Sequence, residues 1–385
     1  MSSSSPDPNF DLFGEPVAAT PAEAKAAAPA PVRNERETTA TGRTLAGRTS
    51  GGPALAGRTK AVEPALPLLG EDLAPALPDL LRLGTSSWSF PGWQGAVWAK
   101  AYSERILAQR GLGAYVQHPL LRTVSIDRSF YRPLAASEYA VYAGQVPADF
   151  RFVVKGPALV CDAQVRSEDG RGRELNPVFL QPDLALDSFV RPACEGLGAN
   201  LGVLLFQLSP LPISRLVDMQ PTLAQLEQLA LAVQAQLAQM PAAQRPIVAF
   251  EVRDPDWLRP DVMPRFAQIL RSTGATYCLG LHAKMPRMAE QLPLLRALWP
   301  GPLVCRWNVN PVFGPYGYAD AEQKLAPFDR IQQPDDATVQ LLARTIAGIC
   351  GKGQPAYVTV SNEAEGSGPL SILRLAEALQ ALGQK

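Results

Sequence analysis

Histidine is scarce in this chain, whose 385 residues include only His118 and His282. A zinc site built from several histidines, such as a trinuclear hydrolase needs, is therefore excluded. The five cysteines are widely spaced, with no CxxC pair and an odd total, which argues against a disulfide framework as well as a zinc site. We therefore expect no metal, no other cofactor, and thiols that stay reduced.

An excess of charge of either sign is also absent, because 36 basic side chains balance 36 acidic ones. A neutral chain has no overall attraction to nucleic acid or to an anionic membrane, so binding to either would need a local patch. Residues 1–7 are not a basic region followed by an apolar core, and no charge-free apolar run of about 18 residues occurs. These absences predict a cytoplasmic protein that does not associate with membranes.

Aromatic residues are nearly absent from the first 75 positions, where Ala, Pro, Ser, Thr, Gly and Arg dominate. Such a composition cannot bury enough apolar surface to offset the entropy of the chain. We predict a disordered tail over residues 1–75, followed by a folded region over residues 78–385.

One short apolar segment interrupts the tail at residues 9–14, which contain Phe10, Leu12 and Phe13. Exposed aromatic side chains in an otherwise polar segment are typical of a docking peptide. The segment resembles the peptide through which bacterial repair and replication proteins bind the sliding clamp, although Asn9 and Phe10 replace its Gln and Leu. The clamp is therefore one candidate partner, and a solvated low-complexity linker is the alternative interpretation of the tail.

Beyond about residue 80, short apolar or β-branched runs alternate with longer segments of helical periodicity. The helical pattern is clearest at 222–240, 262–272 and 337–350. Eight repeats of strand and helix predict an α/β protein with a (β/α)8 TIM-type barrel. A doubly wound open sheet is the alternative, but it usually has a glycine-rich phosphate loop after its first strand, and residues 84–88 do not form one. The eight runs occur at 81–87, 123–127, 150–155, 202–208, 247–252, 275–279, 303–308 and 357–362.

Polar side chains occur at every predicted strand end, where a barrel of this type carries its functional residues. Lys155 and Glu251 each follow a run of apolar strand residues, so each requires a partner or a substrate. One interpretation is contact with a ligand, and the other is a structural ion pair of Glu251 with Lys155 or Arg253. The strand-end residues are Ser86, Trp88, Asp127, Ser129, Tyr131, Lys155, Gln207, Glu251, Arg253, His282, Arg306, Asn308 and Asn362.

Five motifs in this region resemble those of the YecE-like domain-of-unknown-function family. They are GTSSWS at 84–89, SFYR at 129–132, FRFVVKGP at 150–157, LLFQL at 204–208 and FEVRDPDW at 250–257. Their order and spacing are similar to the family's, over about residues 82–380. The resemblance implies a TIM-type barrel and no established reaction.

The chain departs from the family pattern at several polar positions. Ser125 and Asp127 stand where the family has glutamate and asparagine, and Cys161 and Asp162 replace a Thr-His pair. The family's Arg-x-His-Gly becomes RWNV at 306–309, and paired asparagines become Ser361 and Asn362. Two histidines that could transfer protons are therefore missing, whereas Trp88, Tyr131, Lys155, Glu251, Arg253, Arg306 and Asn362 remain.

The first functional hypothesis is an enzyme that acts on a small anionic or phosphorylated substrate at the C-terminal barrel face. Arg253 and Arg306 would bind the anion, and Lys155 would stabilise developing negative charge or form a Schiff base. Glu251 would serve as general acid or base. The remaining substrate-binding candidates are Trp88, Tyr131, Gln207, Asn308 and Asn362.

Other hypotheses stay open at this point. The barrel could be a non-catalytic module that binds a ligand or DNA and is recruited to a repair assembly by the peptide at 9–14. A metal-dependent hydrolase would use Asp127, Asp162, Glu251 and His282, although no close spacing supports such a site. His282 is either a surface or capping residue or a pocket residue, and Cys161 has no assignable histidine base that would make it a nucleophile.

Overall fold

The computed structural model describes residues 61–166 and 173–383 of the chain. Most of the predicted tail, including the docking peptide at 9–14, lies outside these residues.

The strands form where the sequence has continuous apolar runs, as expected for parallel strands that are covered on both faces. Within the described residues, eight parallel strands close a barrel in the order β1-β10-β9-β8-β7-β6-β3-β2, and β4 pairs with β5 as a separate antiparallel hairpin. This arrangement confirms the predicted (β/α)8 fold. The strands are β1 (Leu81–Thr85), β2 (Thr123–Ile126), β3 (Arg151–Lys155), β4 (Gln164–Arg166), β5 (Arg173–Leu175), β6 (Leu201–Gln207), β7 (Ile247–Glu251), β8 (Thr276–Leu281), β9 (Leu303–Trp307) and β10 (Ala356–Val360).

Helices follow the barrel strands and cover their outer face. The helices predicted at 222–240, 262–272 and 337–350 are present with ends shifted by at most three residues. The α-helices are α1 (Glu104–Arg110), α2 (Leu112–Tyr115), α3 (Arg128–Tyr131), α4 (Ala136–Ala143), α5 (Ala158–Cys161), α6 (Pro182–Ala185), α7 (Arg191–Leu197), α8 (Ile213–Val217), α9 (Gln220–Leu237), α10 (Met263–Thr273), α11 (Met288–Ala297), α12 (Tyr318–Leu325), α13 (Asp336–Cys350) and α14 (Gly368–Gly383).

Alternation along each strand separates a small barrel interior from the larger core under the helices. On β6, Leu204 and Phe206 join the outer core, whereas Val203 and Leu205 point inward. The same two-residue period continues to the strand end and brings Gln207 into the interior row. The apolar interior consists of Val153, Val203, Leu205, Ala249, Cys278, Val304 and Tyr357.

The folded region begins earlier than predicted, because residues 61–75 pack against the barrel. Val62 and Leu73 are buried in the main core, and the Ala65 amide donates a 2.9 Å hydrogen bond to the carbonyl of Val97. The assignment of these residues to the tail was therefore wrong. Their few apolar side chains are enough for folding because they cover an existing core rather than forming one of their own.

A third apolar cluster joins the loop after β9 to the loop after β1. Tyr318 and Leu325 of α12 pack with Val309 and Phe328, and Phe90 after β1 packs against them. The Phe90 and Phe328 rings meet edge to face with centroids 5.7 Å apart. Helix α12 is thereby held beside the C-terminal end of the barrel.

None of the helices in the described part of the chain is long and apolar enough to cross a membrane.

Gly84 is required in β1 by the close approach of β2. A Cβ atom built on Gly84 would lie 1.8 Å from the Thr123 carbonyl oxygen. We predict that Gly84→Ala destabilises the protein by about 1–3 kcal/mol or more, because the backbone of one strand must shift. Gly348→Ala in α13 is the matched control, since nothing lies within 4 Å of its added Cβ, and it should stabilise by about 0.5–1 kcal/mol. Denaturant unfolding of both variants measures the difference, and equal stabilities would contradict the prediction.

Candidate functional site

Arg306, near the end of β9, connects three other strands across the barrel. Its Nη1 donates to Gln207 Oε1 at 2.8 Å and to Glu251 Oε2 at 2.9 Å. Its Nη2 donates to Asp127 Oδ2 at 2.9 Å. The strand-end residues of β2, β6 and β7 are therefore held by a single guanidinium, whose fork geometry suits several acceptors at once.

Gly280 of β8 lies beside the contact between Arg306 and Glu251. The register pairs Gly280 with Arg306, and β8 lies between the strands that carry Arg306 and Glu251. A Cβ on Gly280 would lie 3.5 Å from Cγ and Oε1 of Glu251. A larger side chain at this inward position would occupy the space between the guanidinium and the carboxylate.

Glu251 is bound by two arginines. Its Oε1 lies 2.9 Å from Arg253 Nε, and Arg253 Nη2 also donates to Gln207 Oε1 at 2.8 Å. Burial by itself would raise the pKa of Glu251, but the charges of Arg253 and Arg306 outweigh it and lower the pKa to about 2. Glu251 is therefore ionised at neutral pH. The structural ion pair considered from the sequence is present with Arg253 and extends to Arg306.

Lys155 lies in the same interior layer but forms no ion pair with a carboxylate among the described residues. Its side chain is 0% exposed, and its Nζ has no hydrogen-bond partner among the described residues. The ammonium group lies 3.7 Å from the centroid of the Phe130 ring. Burial, reinforced by the charges of Arg306 and Arg253 and opposed by Asp127 and Glu251, lowers the pKa of Lys155 to about 8. We call Asp127, Lys155, Gln207, Glu251, Arg253 and Arg306 the strand-end cluster.

Hydrogen-bond donors without a partner accompany this cluster. Besides Lys155 Nζ, buried nitrogens of Arg306 (Nε), Asn308 (Nδ2) and Trp88 (Nε1) have no acceptor in the part of the chain that the structure describes. Asn308 is two residues beyond Arg306 and continues the inward row of β9. The side chains at this barrel end can therefore still donate to an acceptor-rich molecule.

Three other sequence-predicted residues are not members of the strand-end cluster. Trp88 is buried, with its ring edge-on to Tyr142 at a centroid distance of 5.5 Å. Tyr131 is 43% exposed at the end of α3. Asn362 falls one residue out of the inward phase of β10, and its Oδ1 accepts from Trp93 Nε1 at 3.0 Å and from the Gly368 amide at 2.9 Å. Asn362 therefore ties the loops after β1 and β10 together, and Ser361 takes the inward position.

His282 and Cys161 are both buried. His282 Nδ1 accepts from the Lys284 amide at 3.1 Å, and burial, with the charge of Arg253, lowers the pKa of His282 to about 2. The ring is therefore neutral. Charges of the strand-end cluster act on it, which favours the interpretation of His282 as a pocket residue. Burial raises the pKa of the Cys161 thiol, which argues against a thiolate nucleophile.

Glu363 is a candidate site residue that the strand-end pattern did not predict. It follows the inward residue Ser361 beyond β10, is 1% exposed, and accepts a hydrogen bond from the Ser361 hydroxyl. Burial raises its pKa to about 7, while hydrogen bonds from Ser361 and Tyr318 act in the opposite direction. Tyr318 belongs to α12, so the burial of Glu363 comes from the helix beyond β9. The only sequence feature that could have indicated this residue is that a glutamate directly follows a predicted strand.

Metal-binding geometry is not found in the described residues: no group of three or more His, Cys, Asp or Glu side chains could hold an ion. The metal ligands considered from the sequence, Asp127 and Glu251, are both bound by Arg306 instead.

The solved structures that are similar to this chain include two DUF72 family proteins. A DUF72 family protein from Enterococcus faecalis is 16% identical, with a TM-score of 0.52 over 78% of this chain and 95% of that chain. A DUF72 family protein from Thermotoga maritima is 17% identical, with a TM-score of 0.49 over 79% of this chain and 99% of that chain. The first of these supports the barrel fold, and identities this low carry no information about activity. No curated protein matches the chain.

A family model described as "Protein of unknown function DUF72" matches residues 82–385. The match covers the barrel from the second residue of β1 onward and agrees with the five YecE-like motifs. The chain therefore belongs to the DUF72 family.

Proposed function

We propose that the C-terminal barrel face binds a small anionic or phosphorylated compound and that the protein is an enzyme acting on it. The observation that carries the proposal is the set of unpartnered donors on Lys155, Arg306 and Asn308. Buried donors that lack acceptors cost free energy, and a carboxylate or phosphate would satisfy several of them together.

Charge supports the same class of ligand. The strand-end cluster contains three basic side chains (Lys155, Arg253, Arg306) and two acidic ones (Asp127, Glu251), and the neutral His282 adds nothing. An anion would balance the remaining positive charge in a site largely shielded from water, where electrostatic attraction is strong.

The arginines have a different role from the one the sequence suggested. Their planar groups already contact Glu251, Asp127 and Gln207, so Lys155 and Asn308 are the better primary anion contacts. Glu251 keeps both arginines in place and is a poor proton donor, because its pKa lies near 2. We assign Glu251 a positioning role in this proposal.

Glu363 is the better candidate for proton transfer. A carboxyl group with a pKa of about 7 exists in both protonation states at neutral pH, which is the condition for general acid or base catalysis. The contrast with Glu251 follows from the surroundings. Two arginines lie beside Glu251, whereas Glu363 is buried with hydroxyl and backbone hydrogen-bond donors and is acted on by the like charge of Glu322.

The sliding clamp remains a separate proposal that rests on Phe10, Leu12 and Phe13 alone. These residues lie outside the described ranges, so the peptide motif is its only support.

Anion binding should depend on Lys155. We predict that inorganic phosphate or pyruvate raises the melting temperature of the protein, and that Lys155→Met weakens this binding about ten- to hundredfold, the equivalent of one charge-assisted hydrogen bond. Calorimetric titration measures the affinity. Because Lys155→Met replaces a buried amine with an apolar side chain, the variant should keep or gain stability, so that a loss of binding is not explained by unfolding.

Lys352→Met serves as the control, because Lys352 is exposed in the loop before β10, at the opposite barrel end. Its phosphate affinity should equal that of the unmodified protein. Binding that is absent from the unmodified protein, or lost equally in both variants, would refute the anion site.

Glu363 should make stability fall as the pH rises. Its pKa is about 7 in the folded protein, against an ordinary value of 4.5. The folded state therefore holds the proton more tightly, and stability is lost between about pH 4.5 and 7. We predict that Glu363→Gln matches the unmodified protein near pH 4.5 and is more stable at pH 8, by up to about 3 kcal/mol.

Denaturant unfolding at the two pH values tests this expectation. Glu138→Gln is the control for the sign: a hydrogen bond with Arg132 lowers the Glu138 pKa to about 2, so this variant should lose stability relative to the unmodified protein as the pH rises from 4.5 to 8. If Glu363→Gln shows no gain over the unmodified protein on the same change of pH, the buried neutral carboxyl group is disproved.

The clamp proposal predicts saturable binding of the full-length protein to a bacterial sliding clamp. Replacing Phe10, Leu12 and Phe13 together by alanine should abolish it, because the aromatic anchors supply most of the contact area. Val17→Ala should have no effect. Surface plasmon resonance measures the affinity, and no binding at high micromolar concentration would end the proposal.

A further inference from the structure

Lys155 differs from the other basic residues of the strand-end cluster in how it is paired. Both acidic side chains are already bound by arginine: Asp127 by Arg306, and Glu251 by Arg306 and Arg253. No carboxylate bridges to Lys155 among the described residues. Since an arginine does not give up its proton in a protein, the lysine is the one cation of the cluster that can become neutral.

The surroundings of Lys155 favour the neutral amine. Its stem lies above the apolar interior layer, its Nζ has no hydrogen-bond partner in the described ranges, and two guanidinium groups lie nearby. The charges of Asp127 and Glu251, and the Phe130 ring at 3.7 Å, favour the ammonium form. The charged and titratable groups that act on it are Asp127, Glu251, Arg253, Arg306 and the neutral Cys161 thiol.

From this pairing we infer that Lys155 is a nucleophile that forms an imine with a carbonyl compound bearing a carboxylate or phosphate group. This inference rests on the proposed function, since the same site must first bind the anion. The unpartnered Arg306 Nε and Asn308 Nδ2 would hold the anionic group, and the carbonyl carbon would lie against Nζ of Lys155.

The reaction needs no component beyond the substrate and water. The neutral amine adds to the carbonyl carbon, the carbonyl oxygen takes up a proton, and the resulting carbinolamine loses water to give a C=N bond to Lys155. One hydrogen of the departing water comes from the amine nitrogen and the other is a proton taken from solvent, so the nitrogen keeps its second hydrogen and the imine carries the positive charge. The cationic imine then withdraws electrons from the adjacent carbon, which is the usual preparation for breaking a bond at that carbon.

Borohydride reduction tests the inference, because hydride adds to the imine carbon and fixes the adduct. The full-length protein is incubated separately with pyruvate, glyoxylate and dihydroxyacetone phosphate, reduced, digested and mapped by mass spectrometry. We expect at least one of these compounds to label Lys155 in large excess over the half-buried Lys284 and the exposed Lys352. Labelling should increase as the pH rises through about 8, where the Lys155 amine loses its proton.

Two variants separate imine formation from anion binding. Lys155→Arg keeps a positive charge but has no nucleophilic amine, so it should lose the label while still binding phosphate. Lys352→Arg should keep the full label on Lys155. If pyruvate or phosphate binds but no compound labels Lys155 preferentially, imine formation is overturned and the anion site stands. If nothing binds and nothing is labelled, both proposals fall.

Discussion

The interaction on which the site depends is the contact of Arg306 with Asp127, Gln207 and Glu251. These partners come from β2, β6 and β7, so one guanidinium satisfies polar groups from well-separated parts of the barrel. Loss of Arg306 would leave the buried Asp127 without its arginine and Glu251 with only one of its two, which is far more costly than loss of an exposed ion pair. The ionised state of Glu251 and the unpaired state of Lys155 both follow from this arrangement.

The apolar layer below the cluster strengthens these effects. Leu205 and Ala249 lie directly below Gln207 and Glu251 in the inward rows, and they exclude water from the underside of the charged layer. Charges in such surroundings act on one another more strongly than at a surface. As a result, neighbouring groups shift in different directions: the pKa values of Glu251 and Lys155 fall, whereas burial without a cation raises that of Glu363.

The fold was largely predictable because each barrel strand is a continuous apolar run. The run predicted at 247–252, for example, is the strand Ile247–Glu251. Strand-end polarity likewise identified the charged cluster, since parallel strands all end at the same face. Side-chain phase was not predictable at irregular positions: Asn362 was expected in the site, but Ser361 is the inward residue. The importance of Glu363 could not be predicted either, because its burial depends on Tyr318 of α12, a contact that no local pattern shows.

The two interpretations of the strand-end charges apply to different residues. Arg253 and Arg306 form the structural ion pairs, and their partners leave neither arginine free to bind a ligand with its whole guanidinium. Lys155 forms no such ion pair, and the amide nitrogen of Asn308 has no hydrogen-bond partner among the described residues. Arginine keeps its proton, whereas lysine can lose it. The positive charges of Arg253 and Arg306 are therefore fixed, and the charge of the Lys155 amine can change. A neutral overall composition is compatible with such a site, since the local excess of positive charge is balanced elsewhere in the chain.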